Sequence, residues 1–274
     1  MSPETPDRKP FSPAQRTGFA ALGLSAVLLP FHAALAAMPL VMFLVLCAAA
    51  SLSPRSRFFL PVISRGRTGR KAVALTFDDG PDPLTTPPLL DLLARHDVKA
   101  TFFVSGRNAE RYPEWIDAML SQGHLIGNHS YSHSPFLMLF SFRMLFQEIA
   151  SAQDVLIRLG LRPLAFRPPV GLTNPKLGPA LSQLGMICVT FRCRAYDRGN
   201  RQIRGIAGKI LNKVRPDDIV LLHDVCPPMI EDIPRWLDEM ERTLSGLKQM
   251  GYSVLPLDAL IGRPVMVACR KAGS

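Results

Sequence analysis

Leu75-Thr76-Phe77-Asp78-Asp79-Gly80-Pro81-Asp82 is the stretch on which the reading of the fold turns. A short apolar run, 72–77, delivers two adjacent carboxylates into a Gly-Pro turn. Apolar runs of this length bounded by Gly and Pro read as buried strands, so the two acids emerge at a strand end. Like charges this close stay ionised together only with a cation or a hydrogen-bond partner. The competing reading is a turn in which Asp caps the next helix, since Asp-Gly is a common turn dipeptide. The rest of the chain separates the two.

Downstream, strand-like and helix-like runs alternate. Strands are predicted over 72–77, 100–104, 124–128, 164–167, 186–191, 218–223 and 252–255, with helices over 87–96, 113–122, 141–159, 176–184, 203–214 and 233–250. Strands separated each from the next by a helix predict an α/β fold with a parallel sheet. Asp78, Asp79, His129, Arg167 and His223 all fall at C-terminal strand ends, where sites sit in a parallel barrel.

Two of the six histidines, His129 and His223, belong to this set, and His133 follows one turn after His129. His129-Ser130-Tyr131-Ser132-His133 places two imidazoles four residues apart, and on one helical turn that spacing puts both on one face. Two imidazoles and one carboxylate suit a transition metal and leave positions open for water and substrate. An apolar strand, 219–222, ends in His223, which is free to serve as a general acid; otherwise it is a buried His closing a core strand. His32, His96 and His124 read as structural. Arg167 stands on a stiff turn, Phe166-Arg167-Pro168-Pro169-Val170-Gly171, where a guanidinium can pair with a site carboxylate.

Taken together, Thr-Phe-Asp-Asp-Gly, His-Ser-x-x-His, Arg-Pro-Pro-x-Gly and Leu-x-His, in this order, resemble the motifs of the polysaccharide deacetylase family, carbohydrate esterase family 4, whose domain is also called the NodB homology domain. The resemblance covers roughly residues 70–262. It implies a distorted (β/α)7 barrel with a divalent-metal site that hydrolyses an N-acyl, typically N-acetyl, amide on an amino sugar. By motif, Asp79, His129 and His133 would bind the metal, with zinc the default and other first-row divalent ions fitting the same ligands. Asp78 would be the base acting on water at the metal, Arg167 would orient it, and His223 would protonate the leaving amine. Leu221 would line the acyl pocket, with Pro168 and Tyr196 in the substrate groove. The chain departs from the pattern at Val170, where an aromatic is common. It also lacks the usual tryptophan in 191–197, where Asp197 is expected to tune His223 and Phe191 or Tyr196 to replace the aromatic wall. The stretch 136–146 is unusually apolar beside a site. It reads as core or as a lip touching the bilayer or a lipid-linked substrate.

The net charge of +10 would point to nucleic acid until it is located. Residues 1–71 carry nine Lys/Arg against Glu4 and Asp7, so the remainder is nearly balanced. The basic excess flanks 38 residues, 17–54, that contain no Asp, Glu, Lys or Arg. That is a membrane-surface distribution, and nothing supports nucleic-acid binding. With Pro30, His32 and Pro39 near its middle, the segment reads as one kinked span or a hairpin of two short helices; a cleaved signal peptide fits less well because the apolar run is too long. Six basic residues and no acid lie between Arg55 and Lys71, which favours a cytoplasm-facing catalytic domain on a bacterial-type inner membrane. The expected organisation is a polar tail (1–16), a membrane anchor (17–54), a basic linker (55–70), a catalytic domain (71–262) and a C-terminal tail (263–274). Five cysteines without paired spacing argue against a disulfide framework. The partners expected are an N-acylated amino-sugar glycan, possibly lipid-linked, and the membrane. Readings of another class are a non-catalytic carbohydrate- or metal-binding module on the same scaffold, or an aspartyl phosphotransferase. The latter usually separates its acids by one residue and needs no His pair.

Overall fold

The computed structural model describes residues 11–269. Residues 1–10 of the expected polar tail and 270–274 of the C-terminal tail lie outside the described residues.

The chain begins with a helical hairpin. Ser12 caps α1 (Pro13–Leu28) in a reciprocal capping box with Gln15. α2 (Ala33–Leu52) starts at His32, whose ring accepts from the Ala34 N–H, and it carries Pro39 internally. The two helices break at 29–32 and run back on each other, with Ser25 Oγ donating to the Ala36 carbonyl across the pair at 2.7 Å. Arg16 and Arg55 therefore stand at the same end of the pair, where the Ala14 N–H donates to the Phe58 carbonyl.

After β1 (Val62–Ile63) come β2 (Ala72–Asp78), α3 (Thr86–Arg95), β3 (Thr101–Val104), α4 (Gly106–Arg111), α5 (Pro113–Ser121) and β4 (Leu125–Asn128). Next are α6 (Phe142–Arg158), β5 (Leu161–Pro163), β6 (Ala165–Phe166), α7 (Leu177–Leu184), β7 (Ile187–Val189) and β8 (Cys193–Arg194). The chain closes with α8 (Ile206–Leu211), β9 (Ile219–His223), α9 (Ile233–Gln249), β10 (Ser253–Val254), α10 (Leu257–Ile261) and β11 (Met266–Ala268). All seven expected strands have a counterpart. The main sheet runs β1-β7-β6-β4-β3-β2-β9-β8, all parallel, with β10 paired to the start of β2. Only Thr190, Phe191 and Arg192 separate β7, near one end of this path, from β8 at the other, so the sheet curls back towards itself.

Alternation along the strands decides what each side chain meets. In β2, Val73, Leu75 and Phe77 face an outer layer shared with Leu89, Ile116 and Trp236. Ala72 and Ala74 face an inner cluster with Phe103, Ala165, Val189, Phe191, Ile219 and Leu221. The same parity carries Asp78 and His223 inward, side by side in the β2–β9 ladder.

Three stretches differ from the expected organisation. Phe59, Leu60 and Val62, in the stretch read as a basic linker, are buried against α6 and α7, and β1 pairs with β7. Their apolar side chains are outweighed in a composition count by six neighbouring cations. β11, in the expected C-terminal tail, pairs antiparallel with β5. α1 begins at Pro13, inside the expected polar tail.

Candidate active site

Parity also brings Arg167 inside, two residues after Ala165. Its guanidinium is fully buried and lies 4.0 Å from the Phe103 ring centroid. It donates to Asp78 Oδ1 at 2.6 Å, to Thr76 Oγ1 at 2.7 Å and to the carbonyls of Thr190 and Val189 at 3.1 and 3.4 Å. A buried cation is tolerated only when paired and hydrogen-bonded, and every contact here meets that demand. Burial lowers the Arg167 pKa and the Asp78 charge opposes the fall.

Asp79 leaves the strand. Its φ of 80° turns the chain, and Asn108 Nδ2 holds its carbonyl at 2.9 Å. The carboxylate thus points away from Arg167, towards the imidazoles. Asp79 Oδ1 lies 3.0 Å from His133 Nε2 and 3.4 Å from His129 Nε2. His133 also has a positive φ, 53°. Non-glycine residues in this region are strained, and such strain concentrates at functional sites. His129 Nδ1 donates to the Arg167 carbonyl at 2.7 Å, which fixes the tautomer and leaves Nε2 free as a ligand.

One ligand atom from each of Asp79, His129 and His133 lies within 4.8 Å of the others. Burial pushes the Asp79 carboxyl up, but hydrogen bonds from His129 and His133 outweigh it and hold it well below the usual range. Burial pushes His133 down, and Asp79 more than restores it. Three neutral-or-anionic donors converging on one point fit a divalent transition ion.

His223 faces this cluster from β9. Its Nδ1 lies 2.7 Å from Asp197 Oδ2, and Asn200 Nδ2 donates to its carbonyl at 3.1 Å. Burial lowers the imidazole pKa, but the Asp197 bond and charge, then the Asp79 and Asp78 charges, raise it to about 9. Leu221 is buried beside Phe103 and Phe191 in the inner cluster, one inward step below His223. Pro168 is buried, whereas Val170 is exposed at the rim. Tyr196 is half-exposed, with Arg194 4.2 Å and Lys213 5.0 Å from its ring centroid. Its φ is 59°. Phe191 is buried beneath, against Arg194.

Thr76, Phe103, Asn108, Thr190, Asn200 and Asp224 were not anticipated. Thr76 had a signal, being a polar residue on the inward parity of an apolar strand; the others had none. Asp224 is fully buried and accepts from Thr85 Oγ1 at 2.8 Å and Thr86 Oγ1 at 2.6 Å. Burial drives its carboxyl up to about 7 against those two bonds. Gly80 makes room for it, since a Cβ there would stand 2.6 Å from Asp224 Oδ2. His124 is structural, as expected: its Nδ1 accepts from the Ala100 N–H, and burial pushes its pKa down to about 4.

Comparison with known proteins agrees with these motifs. The family model described as polysaccharide deacetylase matches residues 65–189. The chitooligosaccharide deacetylase of Sinorhizobium fredii is 36% identical over 173 residues, covering 62% of this chain and 80% of the relative. The peptidoglycan-N-acetylmuramic acid deacetylase PdaC of Bacillus subtilis is 33% identical over 192 residues, covering 70% of this chain but 39% of the relative. The chain spans about two fifths of the length of that relative and of the Listeria monocytogenes peptidoglycan-N-acetylglucosamine deacetylase PgdA. The crystal structure of the Bc1960 peptidoglycan N-acetylglucosamine deacetylase superposes with a TM-score of 0.68 at 29% identity, covering 74% of this chain and 94% of that one. A curled parallel sheet, a strand-end Asp pair, a His pair and a buried arginine, set beside relatives of this similarity, place the chain in the polysaccharide deacetylase family.

Proposed function

We propose that the chain is a membrane-anchored, metal-dependent amidohydrolase that removes an N-acyl group, with acetyl the expected one, from an amino sugar. The observation that carries this reading is the convergence of Asp79, His129 and His133 beside two separately held groups, Asp78 on Arg167 and His223 on Asp197. The relatives' printed activities, on peptidoglycan and chitooligosaccharide, support the same reaction class. The sheet, curled with β7 leading into β8, fits the distorted (β/α)7 barrel implied by the resemblance.

A divalent ion on Asp79, His129 and His133, zinc by ligand type, would polarise the amide carbonyl and acidify water. Asp78 is the base that takes the proton from the attacking water, and Arg167 fixes which of its oxygens remains free for that task. His223 stands on the other strand of the β2–β9 ladder and gives its proton to the leaving nitrogen. Asp197 holds that imidazole by Nδ1, so Nε2 is the atom that delivers. Leu221 supplies an apolar floor suited to an acyl methyl, and Pro168 and Tyr196 border the glycan. An amine leaves poorly as its anion, so an acid opposite the base is what the reaction requires.

The anchor reading rests on the hairpin. α2 has 20 residues and a mean hydropathy of 2.4, and at 1.5 Å per residue it is about 30 Å long, the thickness of a bilayer core. Arg16 lies at the hairpin's open end and the basic residues from Arg55 onward follow from it, which under the positive-inside rule favours a cytoplasm-facing domain on a bacterial-type inner membrane. That side favours a lipid-linked sugar precursor over a finished wall polymer. The division proposed is an anchor within 17–54 and a catalytic domain over 71–262, joined by the packed residues 58–63.

The test is metal content of the purified full chain by elemental mass spectrometry, together with acetate release from a chitooligosaccharide. Near-stoichiometric transition metal, lost in Asp79→Ala and His133→Ala while the fold survives, is the expected result. A folded wild-type chain that takes up no metal on reconstitution refutes the reading and favours a carbohydrate-binding module. A C-terminal reporter protected from protease in intact cells is expected; an accessible one overturns the orientation.

A further inference from the structure

We propose that the outer half of the 136–144 segment is a bilayer-docking face that sets the mouth of the site at the lipid headgroups, so that the substrate is an amphiphile whose glycan lies on the membrane surface. This rests on the membrane-anchored deacetylase reading and names its substrate class.

The segment leaves the site directly, three residues after His133. Its inner side is pinned. Leu137 and Met138 are buried in one cluster with Ala14, Cys47 and Ala50 at the open end of the hairpin. Asn174 Nδ2 donates to the Met138 carbonyl at 2.7 Å, and the Lys176 ammonium donates to that of Phe140. The outer side has no such cover: Phe136 is 64% exposed, Leu139 79% and Met144 53%. A core segment would bury these residues, so only half of the stretch is core. Exposed apolar patches mark interaction surfaces.

Continuity identifies the occupant as lipid. The patch adjoins the hairpin's open end, and the hairpin's own outward residues, among them Phe19, Leu22, Met42 and Val45, are exposed and apolar. The charge around it has the sign a membrane surface attracts. Arg143 within the segment, and Arg16, Arg55 and Arg57 at the ends of the hairpin helices, are exposed, and no acid occurs between 130 and 147. Cations at that level each gain on the order of 1 kcal/mol on an anionic leaflet.

The other wall of the mouth meets the anchor as well. The Thr173 N–H donates to the Ser51 carbonyl at 3.4 Å, and Thr190 Oγ1 donates to that of Pro54 at 2.6 Å. A Cβ on Gly171, whose φ is 74°, would stand 3.2 Å from Pro54. The Arg-Pro-Pro-Val-Gly loop thus rests on the end of the anchor while the lip rests on its flank. The site opens between two structures tied to the membrane segment. A soluble polymer would have to reach it from the side, whereas a glycolipid headgroup is already there.

The test uses the full chain in phosphatidylcholine–phosphatidylglycerol vesicles carrying a nitroxide on the upper acyl chain. Leu139→Trp, with Phe136→Trp as the second position, is compared with Met250→Trp at the far end of α9 and with wild type. Strong quenching at 139 or 136 and none beyond background at 250 is expected. Equal quenching at all three positions overturns the docking face. In parallel, the Phe136→Ser/Leu139→Ser variant is assayed on a vesicle-borne N-acetylglucosaminyl lipid and on a soluble chitooligosaccharide. Its turnover of the lipid is expected to fall roughly ten-fold, the scale set by two half-buried apolar side chains, with the soluble substrate unaffected. An equal fall on both substrates refutes the amphiphile assignment. Failure of wild type on both substrates counts against the deacetylase reading instead, and the quenching result stands apart from it.

Discussion

Replacing Asp197 with Asn tests whether a buried carboxylate sets the proton affinity of His223. The His223 side chain is 15% exposed, and its Nδ1 lies 2.7 Å from Asp197 Oδ2. Burial alone would lower the imidazole below its ordinary 6.5; Asp197 is the largest opposing influence, and the result is about 9. A pKa raised on folding means that the folded state binds the proton more tightly. Its contribution to stability is complete below pH 6.5 and is lost as pH rises through about 9. At about 1.4 kcal/mol per pH unit, that interval corresponds to roughly 3 kcal/mol. The assay is an NMR titration of the imidazoles in metal-free protein, with His223→Gln assigning the signal, beside urea denaturation at pH 6.5 and pH 9.5. In Asp197→Asn the titration should move towards 6.5 or below, and the loss of stability over that range should largely vanish. With metal restored, the alkaline limb of kcat/KM, which reports the protonated acid, should shift to lower pH. A wild-type His223 titrating at or below 6.5, or a titration unmoved by Asp197→Asn, refutes the reasoning.

Asp224 carries a consequence of the same sign at lower pH. Its folded pKa of about 7 lies above its ordinary 3.8, so folding stability should fall as pH rises between those values, and Asp224→Asn should flatten that fall in urea midpoints measured from pH 4 to 8. Gly127→Ala places a Cβ 2.5 Å from the Phe103 ring, on which the Arg167 guanidinium rests. Overpacking of this kind costs about 1–3 kcal/mol, and the denaturation midpoint should drop together with kcat. Asp78→Asn should lower kcat by about 10²–10⁴ while metal content stays at the wild-type level, since the role proposed for Asp78 is base and its carboxylate lies outside the Asp79, His129 and His133 cluster.

The seven strands could be read from the chain because each is a short apolar run stopped by Gly, Pro or a polar cluster, and the pattern survives folding. The grouping of Asp78, Asp79, His129 and His223 at one end of the sheet could be read because each is a polar residue where an apolar run stops. What could not be read arises from contacts distant along the chain. Asn108 reaches the Asp79 carbonyl from 29 residues away, and Asn200 the carbonyl of His223 through loops that no pattern announces. Tyr196, expected as a groove wall, is turned by a positive φ to lie between Arg194 and Lys213. Residues 58–63 show the converse: a run judged by its arginines is held by Phe59, Leu60 and Val62, because burial is decided by individual side chains and net charge is an average. The 136–146 stretch divides the two earlier readings between its sides, since Leu137 and Met138 pack while Phe136 and Leu139 do not.

Pro54 and Arg167 grip the same residue, Thr190, one through its hydroxyl and the other through its carbonyl. The consequence is one of biogenesis. The hairpin precedes the sheet along the chain, and its open end is part of the layer that packs on α6 and α7. The curled sheet therefore cannot complete that layer, or seat the turn at Thr190 that holds Arg167, until the hairpin packs against it. With the hairpin as the proposed anchor, a chain put together in this order gains its complete site only once the hairpin is seated, and a chain whose hairpin is misplaced is left with an open apolar flank.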